Sequence, residues 1–190
     1  VQALLEAHGG ERPETLILER FIGEPTEVFE RWLESLRMDV PLAGLMAEFN
    51  ALELEAVAQH GRLYDGVPEL LERLRRRGAV TAICSHGQGS YVDAVLRRFG
   101  IVDYFDAVVC PRDEGETKSS MLKTLKARFS PKTAYMVGDR IYDIRGAKDN
   151  GFVAVGVNYG YGGDEISTAD HIIDAPLDLV AVVEGGAANG

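Results

Sequence analysis

The sequence predicts an α/β fold: a parallel sheet covered by helices on both faces, preceded by a smaller all-helical module. Three observations predict it. From about residue 61, short apolar runs alternate with amphipathic segments of helical length, the order that right-handed β-α-β crossovers produce. The runs that close at Cys84, Cys110 and Val137 (AVTAIC, DAVVC, AYMV) are continuous rather than alternating, as strands covered on both faces require. Residues 1–60, by contrast, carry helical periodicity and almost no strand signal. The expected domains are therefore a helical module over 1–60 and an α/β core over 61–185.

Taken in order, Val1–His8 is an apolar-periodic helix stopped by Gly9-Gly10, and Pro13–Phe21 is a second one broken by FIGEPT. Pro25-Thr26 opens a helix over Glu27–Arg37, whose Val28, Trp32, Leu33 and Leu36 form the expected apolar stripe. Leu42–His60 is a long helix or a helix pair, ended by Gly61. Pro68–Arg77 is amphipathic, with proline near its start and Gly78 past its end, as helix boundaries prefer. Strands are then expected over Ala79–Cys84, Asp106–Cys110, Lys132–Val137 and Phe152–Val157, with a short one at His171–Ile173. Helices fall between them at Ser90–Phe99, Ser119–Phe129 and Ile141–Asn150, and Pro176–Val183 ends the fold before a frayed GGAANG tail.

A chain of 190 residues can bury a real core, and 46% hydrophobic with 26% charged residues is ordinary for a globular protein. A formal net charge of −10 argues against gripping nucleic acid through a basic face. Any phosphate site must be built locally, from a few cations and backbone amides. No apolar run approaches the ~20 residues of a membrane span, and no signal-peptide pattern opens the chain. Two cysteines, Cys84 and Cys110, each closing an apolar run, do not make a disulfide framework, so a reducing cytoplasm is expected.

In a doubly wound sheet, ligands bind beyond the carboxyl ends of the strands. That directs attention to Ser85–Gly89, Pro111–Lys118, Gly138–Asp143 and Asn158–Gly163. Ser85 follows a strand and precedes glycines and a helix start, so its hydroxyl and nearby amides can bond an oxyanion. GQGSYV is half of a dinucleotide fingerprint, but the third glycine and the acidic residue closing the next strand are both missing. Lys118 opens a helix, where the dipole mildly disfavours a cation; pairing with a phosphate oxygen or with loop carboxylates would account for it. Asp139 and Asp143 stand four apart, a spacing that puts two side chains on one face of a helical turn. Two carboxylates just past a strand suit Mg²⁺, which takes one or two of them together with water and phosphate oxygens. The aromatic, glycine-rich Asn158–Gly163 either shapes a pocket or only turns the chain.

Serine, lysine and Asp-x-x-x-Asp in this order, each past a successive strand, resemble the haloacid dehalogenase (HAD) superfamily of phosphohydrolases. GDRIYD at 138–143 matches the family's GDxxxD, LYDGVPELLERLRRRG looks like its first core helix, and FIGEP resembles a segment of the helical cap in the phosphoglycolate-phosphatase-like branch. GVNYGYGGDEISTADHIIDAP is similar to that branch as well. The resemblance implies a three-layer Rossmannoid core with a helical cap of the C1 type over 1–60. It implies a Mg²⁺-dependent phosphatase acting on a small phosphorylated metabolite, such as phosphoglycolate or a 5′-nucleotide, as a monomer or homodimer. Ser85, Lys118 and Asp143 would be catalytic; Ser85, His86, Gly87 and Lys118 would bind substrate; Asp139 and Asp143 would serve the metal. The family's first motif, DxDxT on the sheet's central strand, has no match here, so the nucleophilic aspartate is expected upstream of residue 1 and residues 1–190 alone are expected to be inactive. A phosphomutase of the same fold and a non-catalytic binding protein of that fold are the other expectations. A metal-independent haloacid dehalogenase fits GDxxxD less well.

Overall fold

The computed structural model describes residues 1–113 and 115–187. Helices α1 (Gln2–Ala7), α2 (Thr15–Glu19), α3 (Thr26–Ser35) and α4 (Leu42–His60) fill the first sixty residues, and among the described residues every strand comes later. Leu42–His60 is one continuous helix. The stripe expected on α3 is displaced: the helix ends at Ser35, Leu36 is 39% exposed, and Phe29 and Leu33 are the buried pair. Phe29 and Leu33 stand one turn apart and meet Leu5 and Met46, while Phe21 sets its ring edge-on to Phe29 at 5.4 Å. Each such buried side chain contributes about 1.5–3 kcal/mol, so this module has a core of its own.

The second region runs α5 (Val67–Arg76), β1 (Ala82–Cys84), α6 (Gly89–Arg98), β2 (Ala107–Val109), α7 (Lys118–Phe129), β3 (Tyr135–Gly138), α8 (Ile141–Asn150), β4 (Val153–Val157) and β5 (His171–Ile173). All strand pairs are parallel, as the alternation of apolar runs and helices requires. β1 and β2 are shorter than their apolar runs because side chains and loop backbone take over the pairing at the ends. The Thr81 amide donates to the Asp106 carboxylate at 2.9 Å, and the Ser85 amide reaches the Val109 carbonyl at 3.0 Å. Residues 176–178 form a 3-10 turn, and the last helix, α9, runs Leu179–Ala187. Helix thus extends through Gly185 and Gly186 of the expected frayed tail; the rest of that tail, 188–190, lies outside the described residues. No helix among the described residues is long and apolar enough to cross a membrane.

The strands form two sheets rather than one, β1–β2 and β3–β4–β5. A shared core joins them: Ala107 of β2 packs in one cluster with Met136 of β3, Ala154 of β4, and Leu122 and Ile144 of the helices α7 and α8. Among the described residues β1 pairs only with β2, and β3 only with β4, so each leaves one backbone edge without a strand partner. Their carboxyl ends nonetheless stand close together, bridged by one lysine.

Candidate active site

That lysine is Lys118, the first residue of α7. Its ammonium donates to the Cys84 carbonyl, at the end of β1, at 2.8 Å and pairs with Asp143 Oδ1, just past β3, at 3.0 Å. Both side chains are over nine-tenths buried. The helix that begins with a cation is held instead by Thr117, whose hydroxyl accepts from the Ser120 amide while the Ser120 hydroxyl accepts from the Thr117 amide. The lysine that the dipole disfavours is thus explained by a buried partner from another loop.

Asp139 and Asp143 do not share a helical face. α8 starts at Ile141, Asp139 precedes its cap, and Asp143 folds back so that Oδ2 accepts the Arg140 amide at 3.1 Å. Gly138 makes this possible, since a Cβ there would collide with the Asp143 carboxylate. Both Asp143 oxygens are therefore engaged. Asp139 Oδ2 accepts the Tyr161 amide at 2.7 Å, and among the described residues its Oδ1 accepts no hydrogen bond. Gly160 passes so near Asp139 that a Cβ would overlap it, which is the structural use of the glycines in Asn158–Gly163: this loop closes down on Asp139.

Ser85 Oγ accepts the Gly87 amide at 3.0 Å, which leaves the serine proton free to point into the cleft and occupies the Gly87 donor. His86 is 5% exposed; Nδ1–H donates to the Gly23 carbonyl at 3.3 Å, and the ring stands edge-on to Tyr142 at 5.3 Å. Burial, with help from the Lys118 charge, pushes its pKa below the ordinary histidine value. The sign follows: below about pH 6.5 the unfolded chain takes up a proton that folded His86 refuses. Stability is thus full above that pH and falls as pH drops from it toward the lowered folded value. Melting temperatures at pH 7.5 and 5.5 should show this slope, and His86→Gln should flatten it.

These side chains line one cleft of about 870 Å³, whose opposite wall is the segment from Leu18 to Phe29 together with α4. The join between the walls was not read from the sequence. Arg140, 6% exposed, donates from Nη1 to the Arg20 and Ile22 carbonyls at 3.3 and 2.6 Å, from Nε to Glu165 at 3.1 Å, and from Nη2 to Glu24. Tyr142 Oη adds a bond to Glu24 at 2.8 Å. The available signal was a lone arginine between two functional aspartates, facing a glutamate more than a hundred residues away that no local pattern connects to it.

Three features bear on chemistry. Among the described residues no group of three His, Cys, Asp or Glu side chains is placed to hold a metal ion, and Asp139 offers one open carboxylate oxygen to the cleft. The Cys84 thiol is pushed up to about 11, chiefly by burial, which removes it as a thiolate nucleophile. Lys118 and the Ser85 hydroxyl offer donors on one side of the cleft, with an open carboxylate oxygen beside them.

Comparison with known proteins places the chain in a family. The model of the haloacid dehalogenase-like hydrolases matches residues 2–151. The chain is 27% identical over 187 residues to a 5′-nucleotidase of Pseudomonas aeruginosa, covering 96% of the chain and 84% of that protein. It is 30% identical over 138 residues to a phosphoglycolate phosphatase of Nitrosococcus oceani, covering 69% of the chain and 61% of that protein. The crystal structure of a predicted phosphoglycolate phosphatase from Haemophilus somnus superposes with a TM-score of 0.85 at 23% identity, over 96% of this chain and 88% of that one, which carries the fold. The chain belongs to the haloacid dehalogenase-like hydrolase family, and phosphatases of the 5′-nucleotidase and phosphoglycolate types are among the proteins it resembles.

Proposed function

We propose that this hydrolase acts on small-molecule phosphomonoesters with Mg²⁺, by way of an aspartyl-phosphate, and that residues 1–60 serve as its cap. The observation that supports it most is the buried Lys118–Asp143 pair at the join of the two sheets, beside the open oxygen of Asp139. Asp143 positions the ammonium, and Lys118 aims it at the negative charge that grows on a transferring phosphoryl group. The Ser85 hydroxyl donates to a phosphoryl oxygen from the other side, and His86 and Gly87 hold that loop in place. Asp139 would hold Mg²⁺ through its open oxygen, and Asp143 would stand behind it. When bound, the cation screens the repulsion between an anionic nucleophile and an anionic ester. The nucleophilic aspartate that the resemblance places upstream of residue 1 would sit on a strand between the unpaired edges of β1 and β3, and the same motif would complete the metal site.

Phosphate release from p-nitrophenyl phosphate in the presence of Mg²⁺, measured on protein that carries the upstream aspartate segment the resemblance implies, tests this. Activity is expected to vanish with EDTA, and Asp139→Asn is expected to lower turnover by a hundredfold or more, roughly the effect of losing a principal charge-stabilising group. Turnover by Asp139→Asn near the parent rate would remove the metal assignment. The substrate is proposed to be a small metabolite, because a net charge of −10 repels polyanionic macromolecules. The location that suits two unpaired cysteines is the cytoplasm.

A further inference from the structure

The wall of the cleft formed by α4, across from Ser85, Lys118 and Asp139, has a distinct chemistry. On α4, Met46, Phe49, Asn50 and Glu53 fall at helical spacing on one face, and all four line the cleft. Asn50 donates to the Gln88 side chain at 3.3 Å, so the far end of the cleft is polar but uncharged at that point. Phe29 stands beside Phe49, their ring centres 4.9 Å apart, and both line the cleft, adding aromatic surface.

The charges are lopsided. Five carboxylates line the cleft, those of Glu19, Glu24, Glu53, Asp139 and Asp143. Lys118 and Arg140 are the side-chain cations opposing them among the described residues, and both are already paired, with Asp143 and with Glu24 and Glu165. Among the described residues that line the cleft, no unpaired side-chain cation therefore awaits a second anion. Partial burial raises the Glu53 pKa, so this carboxylate is already partly desolvated. A hydrogen-bond donor from the substrate would relieve that cost, and a second carboxylate would add to it.

We infer that the cleft selects phosphomonoesters whose alcohol portion is uncharged, bears hydrogen-bond donors for Glu53 and has an apolar face for Phe49 and Met46. A nucleoside has this character, and glycolate does not. The inference rests on the proposed phosphatase reading and decides between the two substrate types it leaves open. Glu53 is a specificity residue in this scheme, and excludes anionic alcohols by like-charge repulsion rather than by shape.

Two non-hydrolysable ligands of similar length isolate the charge: phosphonopropionate, which ends in a carboxylate, and hydroxypropylphosphonate, which ends in a hydroxyl. Binding of each to the native protein with Mg²⁺ is measured by calorimetry. Hydroxypropylphosphonate should bind about tenfold or more tightly than phosphonopropionate, Glu53→Gln should narrow the gap, and Glu53→Lys should reverse it. Equal affinities in the parent protein, or a preference unchanged in both variants, overturn the inference. Phosphate release from p-nitrophenyl phosphate by protein that carries the upstream aspartate segment, run beside it, reads the phosphatase assignment separately. Absence of turnover there sinks that assignment, while the calorimetric ranking still accepts or rejects the charge selection.

Discussion

Lys118→Ala is expected to destabilise the protein by about 3–5 kcal/mol, because it leaves the Asp143 carboxylate buried without its counter-charge. The same change should lower phosphatase turnover by a hundredfold or more, since it removes the ammonium aimed at the phosphoryl group. The two effects can be separated. In Lys118→Met/Asp143→Leu the uncompensated charge is gone, so stability should recover in part while turnover does not. Recovery stays partial because Asp143 also accepts the Arg140 amide at 3.1 Å, and that donor becomes unsatisfied in the double variant. Urea unfolding of the parent, Lys118→Met, Asp143→Leu and the double variant gives the coupling directly. A Lys118→Ala protein within about 1 kcal/mol of the parent would mean the pair is solvated in solution.

The second large effect is expected at Arg140. Its guanidinium links two backbone carbonyls and Glu24 of the helical segment to Glu165 of the α/β core, and the Arg140 and Glu24 side chains are 8% and 13% exposed. Arg140→Ala leaves Glu24 buried with only the Tyr142 hydroxyl as donor, at a cost of about 3–5 kcal/mol if the segment stays in place. The cheaper response is local release of residues 20–24, so the loss should appear as faster amide exchange there and in α2 rather than as global unfolding. Arg140→Lys keeps the charge but cannot reach four acceptors with one ammonium, so it should restore less than half of the protection. Unchanged exchange across residues 15–29 in Arg140→Ala would show that this junction does not hold the two walls together.

Much of the fold was legible in the sequence. Apolar runs such as AYMV have few alternatives to a doubly covered parallel strand, and glycine or proline at the ends of Pro68–Arg77 marks a helix by local conformational preference alone. The α3 stripe was misread because Leu36 matches the helical period, yet the helix stops one residue before it; the backbone ends where tertiary packing no longer rewards continuation. The aspartate pair was legible as chemistry but not as geometry. A spacing of four suggested one helical face, whereas the helix begins between the two residues and turns Asp143 toward Lys118.

The sequence by itself determined the fold class, the family and the residue types at the site: Ser85, Lys118, Asp139 and Asp143 each follow a recognisable strand or open a helix. Those are properties of neighbours in the chain, which periodicity and short motifs report. Only the tertiary structure decided which of these groups are engaged and which remain open. It placed Asp143 against Lys118, folded the Tyr159–Gly162 loop onto Asp139, and brought Glu24 to Arg140 across 116 residues. It also turned Glu53 into the cleft. The reason is physical: a buried charge must find its partner in three dimensions, and the cost of leaving it alone is set by solvent exclusion, which no stretch of sequence carries on its own.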